Sequence, residues 1–169
     1  SLGTLGALAA WGAAPAALAQ FQVEVRGVGL TQRPFTVAAF SGRDKASAPV
    51  DQIVIADLER SGLFRHVVVN GEPLDENTRP DMGPWRGLGV DALVTGSVHK
   101  LADGRWDVRF RLWDVVKGDD LGGVSFPVSA NDLRLAAHKV ADAVYEKLTG
   151  DPGVFSTRIA YVTKANNKF

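Results

Sequence analysis

The chain has 169 residues, of which 46% are hydrophobic and 22% charged, a composition typical of globular proteins and not of disordered or polytopic membrane chains. Its 19 Lys and Arg residues balance its 19 Asp and Glu residues, which does not indicate a broad basic surface for nucleic acid. Because it has no cysteine, disulfides, thiolate nucleophiles and cysteine-ligated zinc are excluded. We expect one domain with a piece of a second.

The first nineteen residues are rich in Ala, Gly and Leu and carry no charged side chain. They are short for a transmembrane helix, which needs about 20 apolar residues. Pro15 and the small-x-small sequence Ala17-Leu18-Ala19 favour a signal peptide over the alternative, a buried Ala-rich helix. We predict a partial signal peptide over residues 1–19, cleaved before Gln20. Because the chain begins with Ser1, we also expect it to be a fragment.

Residues 20–26 alternate between apolar and polar side chains, which is typical of an extended strand. Gly27 and Gly29 then interrupt the pattern, so we predict a loosely attached arm over residues 20–33. Such an arm either pairs with its own domain as an edge strand or adds to the sheet of a partner. The candidate partner-binding residues are Gln20, Phe21, Gln22, Val23, Glu24, Val25, Arg26, Gly27 and Val28.

The first half of the predicted domain contains strands, a helix and a long loop. Residues 35–40 read as a buried strand and residues 41–49 as a loop. A helix is predicted over residues 50–61, because apolar residues recur at helical spacing, and Gly62 is suited to its carboxyl end. A strand is predicted over residues 63–69. Residues 70–91, rich in Gly, Pro, Asn and Asp, favour a loop with at most a short helix and Trp85 as its large apolar side chain.

Three further strands are predicted over residues 91–100, 105–114 and 124–128, with turns at 102–104 and 117–123. The middle strand alternates strongly, which is typical of an antiparallel sheet with one wet face. Its side chains on the apolar face are Trp106, Val108, Phe110 and Leu112, and those on the polar face are Asp107, Arg109 and Arg111.

A final helix is predicted after Ser129 and Asp132, which together resemble a capping box, and Gly150 ends it. Its apolar stripe consists of Leu133, Ala136, Ala137, Val140, Val144 and Leu148. We therefore predict one domain over residues 34–150. Residues 151–169 form a linker and a further strand at 159–163, which either returns to the sheet or begins another domain.

These elements predict an α/β (α+β) fold, a mixed sheet of about five strands with two main helices packed on it. Two helices do not cover both faces of such a sheet. We therefore expect one face to stay partly open or to meet another domain.

Candidate catalytic groups are few. No two histidines share an element at metal-binding spacing, and His138 has Asp142 four residues later as a hydrogen-bond partner. Asp57 and Glu59 read as a solvated helix face, and Asp119 and Asp120 as part of a turn. The nucleophile elbow and the dinucleotide-binding glycine motif are missing. We assign no catalytic, cofactor-binding or metal-binding residue and predict that the chain is not an enzyme.

Five blocks of sequence resemble the amino-terminal domain of the TolB family of the Tol-Pal system. They read IADLERSGLF, GVDALVTGSV, VRFRLWDV, LRLAAHKVADAVYEKLTG and GVFSTRIAYV, and they follow one another from residue 55 to residue 162. The resemblance extends over about residues 23–162.

The resemblance implies a periplasmic, non-enzymatic protein with a leader peptide, a small α/β domain and a β-propeller. In that reading residues 159–163 are the first propeller strand. The family links the outer-membrane lipoprotein Pal to the inner-membrane complex through TolA, maintains envelope integrity and supports division. The resemblance also implies that residues 20–31 contact TolA and that the Pal site lies mainly on the propeller. The alternative hypothesis is a periplasmic cell-wall enzyme or an activator of a peptidoglycan enzyme.

Overall fold

The computed structural model describes residue 3 and residues 31–157 of the chain. The predicted signal peptide, arm residues 20–30 and the strand at 159–163 lie outside this part, apart from residue 3. Within it the order of elements is β1 (Arg33–Val37), α1 (Val50–Arg60), β2 (Phe64–His66), α2 (Met82–Gly87), β3 (Ala92–Lys100), β4 (Trp106–Asp114), β5 (Asp119–Val128) and α3 (Leu133–Thr149). No helix in the described residues is both long and apolar enough to span a membrane.

The five strands form a single mixed sheet in the order β2-β1-β3-β4-β5. Strand β1 runs parallel to both β2 and β3, whereas β3, β4 and β5 form an antiparallel meander. The crossover from β1 to β2 contains α1, as parallel neighbours require. The predicted fold class, a mixed five-stranded sheet with helices packed on it, is confirmed.

Helices α1 and α3 cover one face of the sheet and contact each other. The predicted stripe of α3 is confirmed, since its first five members are at most 1% exposed and Leu148 packs against the same core. Val50, Val54 and Leu58 of α1 are fully buried. Both helices end as predicted: Gly62 and Gly150 adopt φ of +78° and +83°, a region that favours glycine.

Gly96 in β3 allows an aromatic side chain to lie directly on the sheet. A Cβ atom at this position would lie 2.4 Å from the carbonyl oxygen of Arg109 and 2.6 Å from the ring of Phe40. Phe40, which is 0% exposed, therefore fills the space that a side chain at residue 96 would occupy. The glycine is needed for this close packing and not for an unusual backbone angle.

The other face of the sheet is covered at one end by the long segment between β2 and β3. A second, smaller core forms there, and its buried members are Ala38, Met82, Val90, Leu93, Trp113 and Val115. Trp85 packs against this core, as predicted for the large side chain of the segment, together with Val67 and Leu74. The prediction of a loop with at most a short helix in residues 70–91 agrees with α2, which is the one helix of this segment. The face is therefore only partly open.

The predicted turn at 117–123 extends too far, because the turn lies at residues 115–118 and β5 already begins at Asp119. The register shifts between Arg111 and Trp113 of β4, so that Leu121 and Gly122 together lie opposite one residue. This is the geometry of a β-bulge, in which a glycine with positive φ is common, and Gly122 has φ of +88°. The glycines that suggested a turn instead belong to an irregular strand.

Two other strand boundaries and one cap also differ from prediction. Strand β1 runs over 33–37 rather than 35–40, and β2 ends at His66 rather than residue 69. Ser129 does not form a capping box. Its hydroxyl donates to the carboxylate of Asp132 at 2.9 Å, and a 3₁₀ turn over residues 130–132 precedes α3.

Candidate interaction surface

The predicted arm lies almost wholly outside the described residues, but its attachment to the domain is defined. Gln32 donates through Nε2 to the carbonyl of Gly62 at 3.1 Å, and the backbone N–H of Arg33 donates to the carbonyl of Leu63 at 3.0 Å. The chain therefore enters the sheet beside the turn that follows α1. The nine candidate residues Gln20, Phe21, Gln22, Val23, Glu24, Val25, Arg26, Gly27 and Val28 remain predictions.

Helices α1 and α3 are joined by a partly buried polar contact that differs from the prediction. His138 Nδ1 lies 2.5 Å from Oδ2 of Asp57, and Asp57 is 1% exposed. Asp57 therefore does not belong to a solvated face, and its other oxygen accepts from Arg60 at 3.1 Å. Packing of α3 against α1 explains the difference, because it brings together residues 81 positions apart.

Asp142, the predicted partner of His138, instead binds the segment that follows α3. Its carboxylate accepts from the backbone N–H groups of Phe155 and Ser156 at 2.7 Å and 3.1 Å. The ring of Phe155 also packs edge-to-face on Tyr145, with centroids 5.8 Å apart. The chain that leaves α3 is therefore held against the helix as far as the described residues extend.

The histidines do not come together. His66 is half-buried, and this burial lowers its pKa. The negative charge of Glu59 acts in the opposite direction and offsets part of the shift. His99 lies at the end of β3. Within the described residues no cluster of three or more His, Cys, Asp or Glu side chains is suited to a metal ion.

The polar face of β4 is less exposed to solvent than the alternation of polar and apolar residues predicts. Asp107 is only 5% exposed; it accepts from Arg109 Nε at 2.6 Å and from Ser125 on β5 at 2.6 Å. Burial by itself raises the pKa of Asp107, but these hydrogen bonds and the charge of Arg109 outweigh it and leave the pKa below its ordinary value. Arg111 pairs in the same way with Asp120 of β5.

Trp106 and Trp113 of β4 lie on opposite faces of the sheet and do not form a stacking surface for nucleic acid. Trp106 belongs to the core under the helices, and Trp113 to the smaller core. The guanidinium groups of Arg79 and Arg111 lie 5.7 Å and 6.0 Å from the centroid of Trp113, a cation–π geometry. These arginines therefore cover Trp113.

Among the described residues, two of the cavities lie at the sheet. The larger, of about 510 Å³, lies beyond the carboxyl ends of β1 and β2, with His66, Glu59, Arg43 and Asp51 in its lining. The charges of Arg43 and Asp51 in this lining are paired, because Nη1 of Arg43 lies 2.7 Å from Oδ2 of Asp51. The smaller, of about 220 Å³, lies between the loop at Glu76 and strands β4 and β5. No local sequence signal marks Glu76 as a site residue.

Comparison with known proteins assigns this α/β domain to a family. The family model described as the TolB amino-terminal domain matches residues 21–121. The Tol-Pal system protein TolB of Albidiferax ferrireducens is 64% identical over 152 residues, covering 90% of this chain and 36% of that protein. Its counterpart in Polaromonas sp. strain JS666 is 60% identical over 166 residues, covering 98% of this chain and 39% of that protein.

A solved structure agrees with these sequence matches. The crystal structure of TolB from Acinetobacter baumannii superimposes with a TM-score of 0.64 at 32% identity, covering 75% of this chain and 30% of that one. The fold is that of a small mixed α/β domain. The chain belongs to the TolB family and is a component of the Tol-Pal system. It spans just over a third of the length of the curated relatives it matches.

Proposed function

We propose that this chain is the TolA-contacting part of a periplasmic adaptor of the Tol-Pal system. The observation that carries the proposal is the family match beginning at residue 21, where the alternating arm sequence begins. The described structure is consistent with a separate arm, because Gln32 and Arg33 fix the chain at the first strand. A signal peptide ending at Ala19 would deliver the chain to the periplasm with Gln20 at its amino terminus.

The arm binds TolA as an extended segment. Strand addition supplies main-chain hydrogen bonds for affinity, and alternate side chains supply specificity. Phe21, Val23 and Val25 make the apolar contacts, and Glu24 and Arg26 the polar ones. The lipoprotein Pal is a second partner, bound mainly by a β-propeller whose first strand is residues 159–163. In this way the protein links TolA to Pal and supports outer-membrane integrity and cell division.

The adaptor is not an enzyme. Support comes from the described carboxylates with the closest contacts, since Asp57, Asp107 and Asp120 are each engaged by a basic side chain rather than placed as an acid–base pair. Release of soluble fragments from purified peptidoglycan tests the alternative of a cell-wall enzyme. We expect no release above the buffer control, and turnover abolished by removing one carboxylate would contradict the proposal.

Deletion of residues 20–29 tests the binding mechanism. We expect isothermal titration calorimetry with a soluble form of TolA to show binding for the chain that begins at Gln20 and none for the deletion variant. Thermal unfolding should be nearly unchanged, because Gly27 and Gly29 predict only a loose attachment of the arm to the domain.

Single substitutions provide matched controls for the deletion. Phe21→Ala and Val23→Ala should weaken TolA binding, because each removes an apolar contact. Asp44→Ala, which changes a side chain that is 93% exposed on the body, should leave binding unchanged. Undiminished binding after deletion of the whole segment would rule the arm out.

A further inference from the structure

The segment between β2 and α2 contains an exposed loop, residues 68–73, that is fixed only at its two ends. Before the loop, the backbone N–H of Val67 donates to the carbonyl of Phe35 at 2.8 Å, and after it the N–H of Leu74 donates to the carbonyl of Ala39 at 3.0 Å. Within the described part of the chain, no group donates a hydrogen bond to residues 68–73 or accepts one from them. Backbone without such bonds changes conformation at little cost in free energy.

Asn70 and Gly71 lie in the middle of this loop, and both are exposed. A Cβ atom built on Gly71 would have no other heavy atom within 4 Å, so the space around this residue is open. On the side of the protein, the loop lines the larger cavity, of about 510 Å³. Solvent therefore reaches the side-chain amide of Asn70 and the backbone nitrogen of Gly71.

These two groups can react with each other. The backbone nitrogen of Gly71 gives up its proton to hydroxide and attacks Cγ of Asn70. The new N–Cγ bond closes a succinimide ring, the bond from Cγ to Nδ2 breaks, and Nδ2 takes a proton from water and leaves as ammonia. The attack requires rotation of the backbone, which a following glycine permits and which hydrogen bonds to the attacking N–H oppose.

We propose that Asn70 is a site of spontaneous covalent modification in the folded protein. Water opens the succinimide at either of its carbonyl groups. Attack at Cγ gives aspartate, and attack at the backbone carbonyl gives isoaspartate, in which the main chain runs through Cγ. Both products add a negative charge to the rim of a cavity whose lining already includes Glu59. The site is separate from the arm at residues 20–28 and does not depend on the proposed function.

Two other asparagines in the described residues provide an internal contrast. The nitrogen that would attack Asn77 is that of Thr78, and its N–H donates to Oδ1 of Asp75 at 2.9 Å. The nitrogen that would attack Asn131 belongs to Asp132, and its N–H is hydrogen-bonded at 3.0 Å within the 3₁₀ turn before α3. Both attacking groups are therefore held, and we expect these asparagines to stay unmodified.

Incubation of the chain in mildly alkaline buffer, followed by tryptic digestion and liquid chromatography with mass spectrometry, tests the proposal. The peptide 66–86 contains both Asn70 and Asn77, because trypsin does not cleave between Arg79 and Pro80. We expect this peptide to yield two new peaks with the mass of the acid, aspartate and isoaspartate, both at residue 70. Conversion should be slower in mildly acidic buffer, because the attacking nitrogen must lose its proton.

Two variants separate the effect of sequence from that of structure. Gly71→Ala should slow conversion of Asn70 about tenfold or more, because the added Cβ restricts the rotation that the attack requires. Thr78→Gly places a glycine after Asn77 but keeps the backbone N–H that Asp75 binds, so Asn77 should stay unmodified in the folded variant. In guanidinium chloride, where neither loop is held, Asn70 and Asn77 of this variant should convert at similar rates.

Three results would overturn the proposal. The first is the absence of conversion at Asn70 in the folded chain, whether or not guanidinium chloride restores it. The second is equal conversion of Asn70 and Asn77 in the folded Thr78→Gly variant, because the sequence alone would then determine the rate. The third is an unchanged rate in Gly71→Ala, which would mean that water hydrolyses the amide directly and the backbone nitrogen takes no part.

Discussion

Four aspartates are buried in the described part of the domain, and two of them, Asp57 and Asp107, show how a basic group matches each charge. Asp57 meets His138 and Arg60, and Asp107 meets Arg109 and the hydroxyl of Ser125. A buried charge that loses its partner is strongly destabilising, even where the pair itself adds little stability. These residues therefore fix which elements pack together more than they add to the total free energy of folding.

Asp107 makes the stability of the domain depend on pH. Because its pKa in the folded chain is lowered, the unfolded chain binds more protons below about pH 4, near the ordinary pKa of aspartate. The stability it contributes is present above that value and is lost as pH falls through the folded pKa. We expect Asp107→Asn to reduce the free energy of unfolding at pH 7 by about 1–3 kcal/mol and to flatten its decline in acid, as measured by urea unfolding from pH 7 to 3.

Asp44→Asn is the control for this measurement, because the Asp44 side chain is 93% exposed. It should unfold with the midpoint and acid dependence of the parent chain. An Asp107→Asn variant with the same acid dependence as the parent would show that the carboxylate does not titrate differently in the folded state. Asp75 and Asp120, whose pKa values are also lowered, contribute to the same pH range and will leave a residual decline.

At the scale of elements, the contact between His138 and Asp57 couples α3 to α1. A double-mutant cycle with Asp57→Ala and His138→Ala separates this contact from the additional hydrogen bond of Arg60. We expect a coupling free energy of about 1–3 kcal/mol at pH 7, the range for a hydrogen bond to a charged group. Urea unfolding of the parent and three variants measures it.

A second cycle, with Glu59→Ala in place of Asp57→Ala, serves as the comparison. Glu59 lies on the exposed side of the same helix, so its effect should add to that of His138→Ala within about 0.5 kcal/mol. If the Asp57 cycle is equally additive, the 2.5 Å contact does not couple the helices.

The elements that the sequence predicted best are those with a long regular pattern. Helices α1 and α3 and strands β3 and β4 each have apolar residues at a constant spacing, and their cores follow from it. The start of β5 could not be predicted, because Gly122 and Gly123 favour a turn locally while the bulge opposite β4 makes them part of a strand. The partner of His138 was missed for a similar reason, since it depends on how two distant helices pack.

The arm and Glu76 also differ in whether a local sequence pattern marks them. The arm could be proposed from sequence, because alternation followed by glycines is a local signal. Glu76 could not, because it is one acidic residue in a loop rich in polar residues. Only the packing of that loop against Arg109 and Arg111 turns it into a buried carboxylate beside a cavity.

At the scale of the whole molecule, hydrogen bonds attach the segments before β1 and after α3 to the described α/β body. Gln32 and Arg33 fix the chain before β1, and Asp142 fixes the chain after α3 through Phe155 and Ser156. A partner that binds the arm would therefore connect to the α/β body through a segment that is hydrogen-bonded at the first strand. Binding at the arm need not disturb the core.

In the proposed function, TolA contacts the arm and not the body. The most direct measurement is the ¹⁵N NMR spectrum of the chain that begins at Gln20, recorded during titration with a soluble form of TolA. We predict that the amide signals of residues 20–28 shift or broaden while those of residues 34–150 keep their positions. Shifts confined to the body, with the signals of residues 20–28 unchanged, would contradict the account.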